Sequence, residues 1–134
     1  MKVALVSLNQ SWEDKEANRL KVRNCFQTIA FRNMDLVIFP EMTLTGFTMN
    51  VKEHAEEAEN SATIRFFTDC ACQYGVYIGF GMILKAGIKA ANHFIIVSPE
   101  GEMCADYIKI HPFSYAGEDR FYEKGKHMTT LEIQ

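Results

Sequence analysis

Two residues of opposite charge stand at strand ends, where α/β proteins keep their ligands. Glu41 follows Leu36-Val37-Ile38-Phe39-Pro40 at once. Four consecutive apolar residues, β-branched or aromatic but for the first, predict a strand buried on both faces. Pro40 has no amide hydrogen for a sheet ladder, so the strand stops there and Glu41 sits at or just past its carboxyl end. In open α/β sheets that edge binds ligands. The second residue is Lys109, in Asp106-Tyr107-Ile108-Lys109-Ile110-His111-Pro112. Alternation puts Tyr107, Lys109 and His111 on one face of a strand, Ile108 and Ile110 on the other, and Pro112 ends it. A lysine hemmed in by strand hydrophobes needs an opposing carboxylate. Taken singly, Glu41 reads equally as the start of a solvated loop, and Lys109 as an edge-strand lysine snorkelling to water. Glu118, in a loop rich in aromatics and glycine, means little alone.

The elements that must position these residues alternate along the chain. Val3 to Leu8 reads as a first strand, and Ser11-Trp12-Glu13-Asp14 as a capping signal in which the Ser11 hydroxyl accepts from a first-turn amide. A helix follows, with Val22, Cys25, Phe26 and Ile29 on one stripe, ending near Asn33. Strand, helix, buried strand implies parallel pairing through a right-handed crossover. The acidic segment Glu53 to Glu59 reads as a solvated loop with a turn of helix. Asn60 or Ser61 then caps a second helix carrying Ile64, Phe67, Ala71 and Tyr74, which Gly75 ends in a left-handed conformation. Strands at Val76–Leu84, Asn92–Val97 and Cys104–Ile110 follow, with a tight turn at Pro99–Glu102. Phe66, Phe67, Phe80 and Phe94 are core candidates.

Composition bounds the function. A chain of 134 residues makes one domain, 1–134, and 48% hydrophobic with 23% charged residues is ordinary for a soluble protein. A net charge of −3 gives no reason to expect nucleic acid or an acidic membrane surface as partner. No run is long enough to cross a bilayer, and the amino terminus reads as a strand, not a signal peptide. The cysteines at 25, 70, 72 and 104 have neither disulfide-scaffold nor zinc spacing, and read as reduced thiols of a cytoplasmic protein. His54 and His127 read as solvated loop residues. His93 and His111 read as local hydrogen-bond partners, since no carboxylate or cysteine accompanies them at ligand spacing.

Together, three stretches resemble the nitrilase superfamily, the carbon-nitrogen hydrolases. Phe39-Pro40-Glu41-Met42-Thr43-Leu44-Thr45-Gly46-Phe47 is similar to that family's glutamate segment. Tyr107-Ile108-Lys109-Ile110-His111 is similar to its lysine strand end, preceded by an Asn-x-x-hydrophobic strand and Pro-x-Gly turn such as Asn92 to Gly101. Glu118 to Gly125 matches a further glutamate before an aromatic and a glycine. The wording of the first motif looks most like the omega-amidase branch.

The resemblance implies an α/β fold of the α-β-β-α sandwich type and a Glu-Lys-Cys triad. It makes Glu41 the general base, Lys109 the stabiliser of the oxyanion, and Glu118 the supporting glutamate that orients lysine and substrate. It implies an amide or nitrile of small size as substrate and neither cofactor nor metal. An amide carbon is a poor electrophile, so the chemistry needs a thiolate prepared by a base and a fixed positive charge where negative charge develops.

The nucleophile is the missing member. In the family it follows the lysine by a few tens of residues, and none of the four cysteines present fits. Cys104 precedes Lys109 by an odd interval that turns the two to opposite faces, ~16 Å apart at ~3.3 Å per residue. The chain therefore reads as the amino-terminal half of such an enzyme, an incomplete sandwich that would expose apolar faces and associate with itself, as a homo-oligomer, or with a complementing carboxyl-terminal half. Two other readings stay open. One is a catalytically inactive relative that binds small acids or partner proteins; the other is an unrelated flavodoxin-like domain in which Glu41 and Lys109 form a structural ion pair, against which stands the lack of a Gly-rich phosphate loop.

Overall fold

The apolar runs pair into one six-stranded sheet in the computed structural model, which describes residues 1–28 and 33–133. Strands β1 (Val3–Leu5), β2 (Leu36–Ile38) and β3 (Tyr77–Ala86) are parallel, as a strand-helix-strand order dictates. Then β3, β4 (Lys89–Val97) and β5 (Met103–Ile108) run antiparallel through two tight turns. A two-residue strand, β6 (Tyr122–Glu123), returns parallel to β4 beside Ala90 and Ala91, while β5 pairs with His93 to Val97. Because β3 occupies the other edge of β4, β5 and β6 lie end to end along one edge. The chain between them swings out and comes back.

Helices α1 (Lys15–Phe26) and α3 (Ala62–Tyr74) cover one face of the sheet. Val22 and Phe26 of α1, with Phe66, Phe67, Cys70 and Ala71 of α3, bury against Val37, Phe39, Ile78, Phe80, Ile95 and Val97. Phe67 stacks on Phe80 with ring centroids 4.1 Å apart. The α3 ends are those expected: Ser61 accepts from the Ile64 amide, and Gly75 closes the helix at φ 63°. At α1 the cap is Asp14, whose carboxylate accepts from the Ala17 amide. Ser11 instead accepts from the Lys21 ammonium, because its backbone is held by Asn18. Ile29 and part of the expected end of α1 lie outside the described residues.

The acidic segment is more structured than expected. It forms α2 (Val51–His54) and then turns Glu56 inward, where the carboxylate accepts from Lys15 Nζ at 2.6 Å, from the Ser61 and Thr63 hydroxyls and from the Thr63 amide. Burial alone would raise the Glu56 pKa, but these donors outweigh it and hold the carboxyl at about 2. His54, expected in solvent, is buried: Lys15 donates to its carbonyl, and its Nε2 lies 3.6 Å from Glu13. Charge density in the sequence concealed which residues the turn directs inward.

The other face of the sheet carries Gly79, Gly81 and Ile83 of β3, Asn92, Phe94 and Ile96 of β4, and Ala105 and Tyr107 of β5, by register and alternation. Phe94 is half-buried here and not in the helix-covered core. Part of this face lines a cavity of about 430 Å³ that residues 129, 131 and 133 also border. Among the described residues no helix is long and apolar enough to cross a membrane.

One close approach ties the returning chain to the sheet. The Gly125 amide donates to the Lys109 carbonyl at 2.9 Å, and a Cβ at Gly125 would stand 2.1 Å from the Ile108 carbonyl oxygen. Backbone cannot yield as a side-chain tip does. Gly125→Ala is expected to lower the unfolding free energy by about 1–3 kcal/mol, read as a lower urea midpoint; an unchanged midpoint would refute the contact.

Candidate active site

The three charged residues singled out in the sequence meet at one point. Lys109 Nζ lies 2.8 Å from Glu41 Oε1 and 3.0 Å from Glu118 Oε2, between two carboxylates that come from segments 77 residues apart (118 − 41). Lys109 continues the β5 ladder, its amide donating to the Asn92 carbonyl at 2.9 Å, so its side chain leaves the face opposite the helices. Glu41 sits in the turn after β2, as the proline requires. Glu118 opens the short helix α4 (Glu118–Phe121) at the far end of the excursion between β5 and β6, and its carboxylate is fully buried.

The Glu41 turn is fixed from below. Gly81 runs so close beneath it that a Cβ there would stand 2.4 Å from the Met42 amide nitrogen. The Thr43 amide donates to the Gly81 carbonyl at 2.9 Å, and the Gly81 amide donates to the Thr43 hydroxyl at 3.1 Å. Gln10 Nε2 faces three successive carbonyls, those of Glu41, Met42 and Thr43, at 3.2, 2.8 and 3.1 Å. Asn18, wholly buried in α1, donates to the Leu44 carbonyl at 2.7 Å. Met42 is held at φ 45°, a left-handed conformation uncommon for a side chain of its size. The Thr-Gly-Phe stretch then brings the Phe47 ring to 5.5 Å from the Lys109 ammonium, while Trp12 donates to the Phe47 carbonyl.

Asn92 completes the cluster. Its Nδ2 donates to Glu41 Oε1 and, at 3.2 Å, to Glu118 Oε1, so one amide group bridges both acids. Sequence reasoning gave it a place in a strand but no task. The available signal was an amide inside an otherwise apolar strand, which must find partners when buried.

A count of donors and acceptors separates the two carboxylates. Glu118 has both oxygens occupied, Oε1 by Asn92 and Lys109, Oε2 by Lys109 and the Phe113 amide. Glu41 has only Oε1 engaged, and its Oε2 accepts no hydrogen bond among the described residues. A lysine ammonium has three N–H donors. Three acceptors face it, Glu41 Oε1 at 2.8 Å, Glu118 Oε2 at 3.0 Å and, at 3.3 Å, Glu118 Oε1, an oxygen that Asn92 also serves. Glu41 is thus able to take a proton, Lys109 to donate toward a new negative charge by giving up its 3.3 Å contact, and Glu118 to do neither. Glu41, Asn92 and Lys109 border a cavity of about 380 Å³ with Phe94 and Tyr107. Among the described residues no cluster of His, Cys, Asp and Glu could hold a metal ion.

Charge pairing governs protonation here. Burial alone would raise the Glu118 pKa, but the Phe113 amide, Lys109 and Asn92 outweigh it and hold the carboxyl below its ordinary 4.5. Burial would lower the Lys109 pKa, but hydrogen bonds to Glu41 and Glu118 outweigh it and hold the ammonium above its ordinary 10.5.

A family model described as carbon-nitrogen hydrolase matches residues 2–130. The chain belongs to the carbon-nitrogen hydrolase family. Among carbon-nitrogen hydrolases it is 30% identical to omega-amidase YafV of Yersinia enterocolitica over 132 residues, 98% of this chain and 50% of that enzyme. It is also 30% identical to a nitrilase of Pyrococcus abyssi over 129 residues, 93% of this chain and 48% of that protein. The crystal structure of XC1258 from Xanthomonas campestris, a CN-hydrolase superfamily protein with an arsenic adduct in its active site, superposes with a TM-score of 0.87 at 24% identity, covering 97% of this chain and 48% of that one. The chain thus spans about half the length of the curated relatives it matches, and the flavodoxin-like alternative falls.

The pH dependence of stability follows from the paired charges. Glu118, with its folded pKa lowered, adds stability that is whole above 4.5 and lost as pH falls through its folded value; Lys109, with its folded pKa raised, adds stability that is whole below 10.5 and lost as pH rises through its folded value. Glu118→Gln is expected to lower the urea midpoint near neutral pH and to flatten its decline toward about pH 3. Parallel acid limbs in the two proteins would contradict the pairing.

Proposed function

We propose that this chain supplies the base and the cation of an amidase site that hydrolyses small amides through a Glu-Lys-Cys triad whose cysteine lies beyond residue 134. The observation that carries the reading is the division of labour at the cluster: Glu41 keeps one oxygen free among the described residues, Lys109 stands between the two acids with its longest contact, 3.3 Å, on a Glu118 oxygen that Asn92 also serves, and Glu41 and Lys109 border the same cavity.

In this reading Glu41 removes the thiol proton and the thiolate adds to the amide carbon. The carbonyl oxygen takes the electron pair and becomes an oxyanion held by Lys109. The carbon–nitrogen bond then breaks as Glu41 returns its proton to the nitrogen, so that ammonia leaves and a thioester remains. Glu41 next removes a proton from water, which attacks the thioester carbon; the carbon–sulfur bond breaks, the acid leaves, and Glu41 returns the proton to the sulfur. Glu118, saturated with donors, keeps Lys109 charged and aimed. A fixed ammonium suits this work because it need not reorganise as charge develops.

The relatives guide the substrate class. An omega-amidase among them favours an amide at the end of a short carboxylic acid, whereas a nitrilase leaves a nitrile as the competing electrophile. The apolar face bordered by Phe94, Ile96, Ala105 and Tyr107 suits a covering layer, from a complementing carboxyl-terminal half or a second copy.

The test is ammonia release from short ω-amides and the matching nitriles by the complete gene product. Glu41→Gln and Lys109→Ala are each expected to slow turnover by about 10²-fold or more. Unchanged rates in either variant would overturn the assignment, and saturable binding without turnover in the unmutated protein would point to a binding relative instead.

A further inference from the structure

Tyr122 is a large, almost fully buried side chain with a polar tip, and the residues it touches belong to neither of its sequence neighbours' elements. It lies in β6, four residues after Glu118, and pairs beside Ala90 of β4. Its hydroxyl donates to the Thr48 carbonyl at 2.6 Å and lies 3.9 Å from Met42 Sδ. Its ring packs with Met42, Ile83 and Ala90. One end of the ring is therefore fixed to the strand that follows Glu118, and the other to the loop that follows Glu41.

We propose that Tyr122 is a positioning residue whose hydroxyl pins the Glu41 loop to the Glu118 segment, setting the gap into which the Lys109 ammonium fits. The proposal rests on the reading of the cluster as an amidase site. Two observations converge on it. The first is geometric: apart from Lys109 and Asn92 themselves, the Tyr122 hydroxyl bond to Thr48 joins the two carboxylate-bearing segments directly, 74 residues apart in the chain. The second is electrostatic. Burial first, and then the negative charges of Glu118 and Glu41, raise the phenol pKa, so both acids act on this ring and it remains a neutral donor.

The far side of the pin is itself anchored. The Thr48 hydroxyl donates to Glu13, and the Glu13 amide donates to the Thr45 carbonyl at 2.6 Å. The loop held by Tyr122 is thus tied to the start of α1 and has little freedom to follow a displaced ring. Without the hydroxyl, the Thr48 carbonyl loses its donor, and the direct hydrogen bonds between the two acid-bearing segments, among the described residues, are those that run through Lys109 and Asn92.

Tyr122→Phe isolates this role, because it keeps the ring and removes the oxygen. In the complete gene product we expect the kcat for ammonia release to fall about tenfold, KM to stay within about twofold, and the Lys109 side chain, followed through its labelled ε-carbon, to titrate at lower pH. Loss of kcat without a change in the Lys109 titration would mean a merely structural ring and would overturn the proposal, as would a variant equal to the unmutated protein in both. If the unmutated protein releases no ammonia but the Lys109 titration falls in Tyr122→Phe, the pin stands and the assigned activity fails. Should Tyr122→Phe not fold, the hydroxyl proton of Tyr122 decides: slow exchange with water supports the bond to Thr48, and fast exchange removes it.

Discussion

An ammonium taken partly out of water must be surrounded by acceptors, and in this protein that demand falls on Lys109. Isolated, its charge would be lost or its strand destabilised. Glu41 and Glu118 meet the demand from either side, and Asn92 ties the two acids together. The arrangement is asymmetric, with one acid saturated and buried and the other half-free and half-exposed. That asymmetry leaves one oxygen of Glu41 without a hydrogen bond among the described residues, at the border of a cavity.

The fold meets the same demand through backbone contacts more than through side-chain packing. Two glycines let main chain pass at distances no other residue permits: Gly81 under the Glu41 turn, and Gly125 against the end of β5. Pro40 closes off β2 just before Glu41, whereas β5 ends at Ile108, ahead of Pro112, and Lys109 adds one more bond to Asn92. The helices do their part from the far side of the sheet. Their aromatic core stiffens β2 and β3, and Asn18 and Gln10 reach past it to hold the carbonyls of the Glu41 loop. Position is thus set by groups that never touch a ligand.

Much of this was legible in the sequence because local chemistry and global fold agree. The β2 run, the proline stop and the alternation around Lys109 each have one geometric reading, and parallel pairing followed from element order. Ser61 and Gly75 were readable as helix ends for the same reason. What stayed hidden depended on tertiary partners. Ser11 has the chemistry of a cap, yet Asp14 performs it, because Asn18 holds the Ser11 backbone elsewhere. Glu56 and His54 lie in a segment whose charge suggested water, but Lys15, 41 residues away, draws Glu56 inward. Asn92 announced only a strand, since an amide reveals its duty only when both acids are seen. Two-residue β6 is too short to leave any periodicity.

The end-to-end placement of β5 and β6 along one edge of β4 separates the length of a loop from the position of the residue it delivers. The excursion from Ile110 to Phe121 leaves and re-enters the sheet at nearly the same place, so its length is not dictated by the distance it must cover. Closing such a detour grows dearer only slowly with size, about 0.6 kcal/mol for each doubling. Residues can therefore be inserted between Ser114 and Gly117, where Tyr115 already projects into solvent, while Phe113 holds Glu118 at its address beside Lys109. Descendants of this chain are free to reshape that excursion and still inherit the cluster of Glu41, Lys109 and Glu118 unaltered.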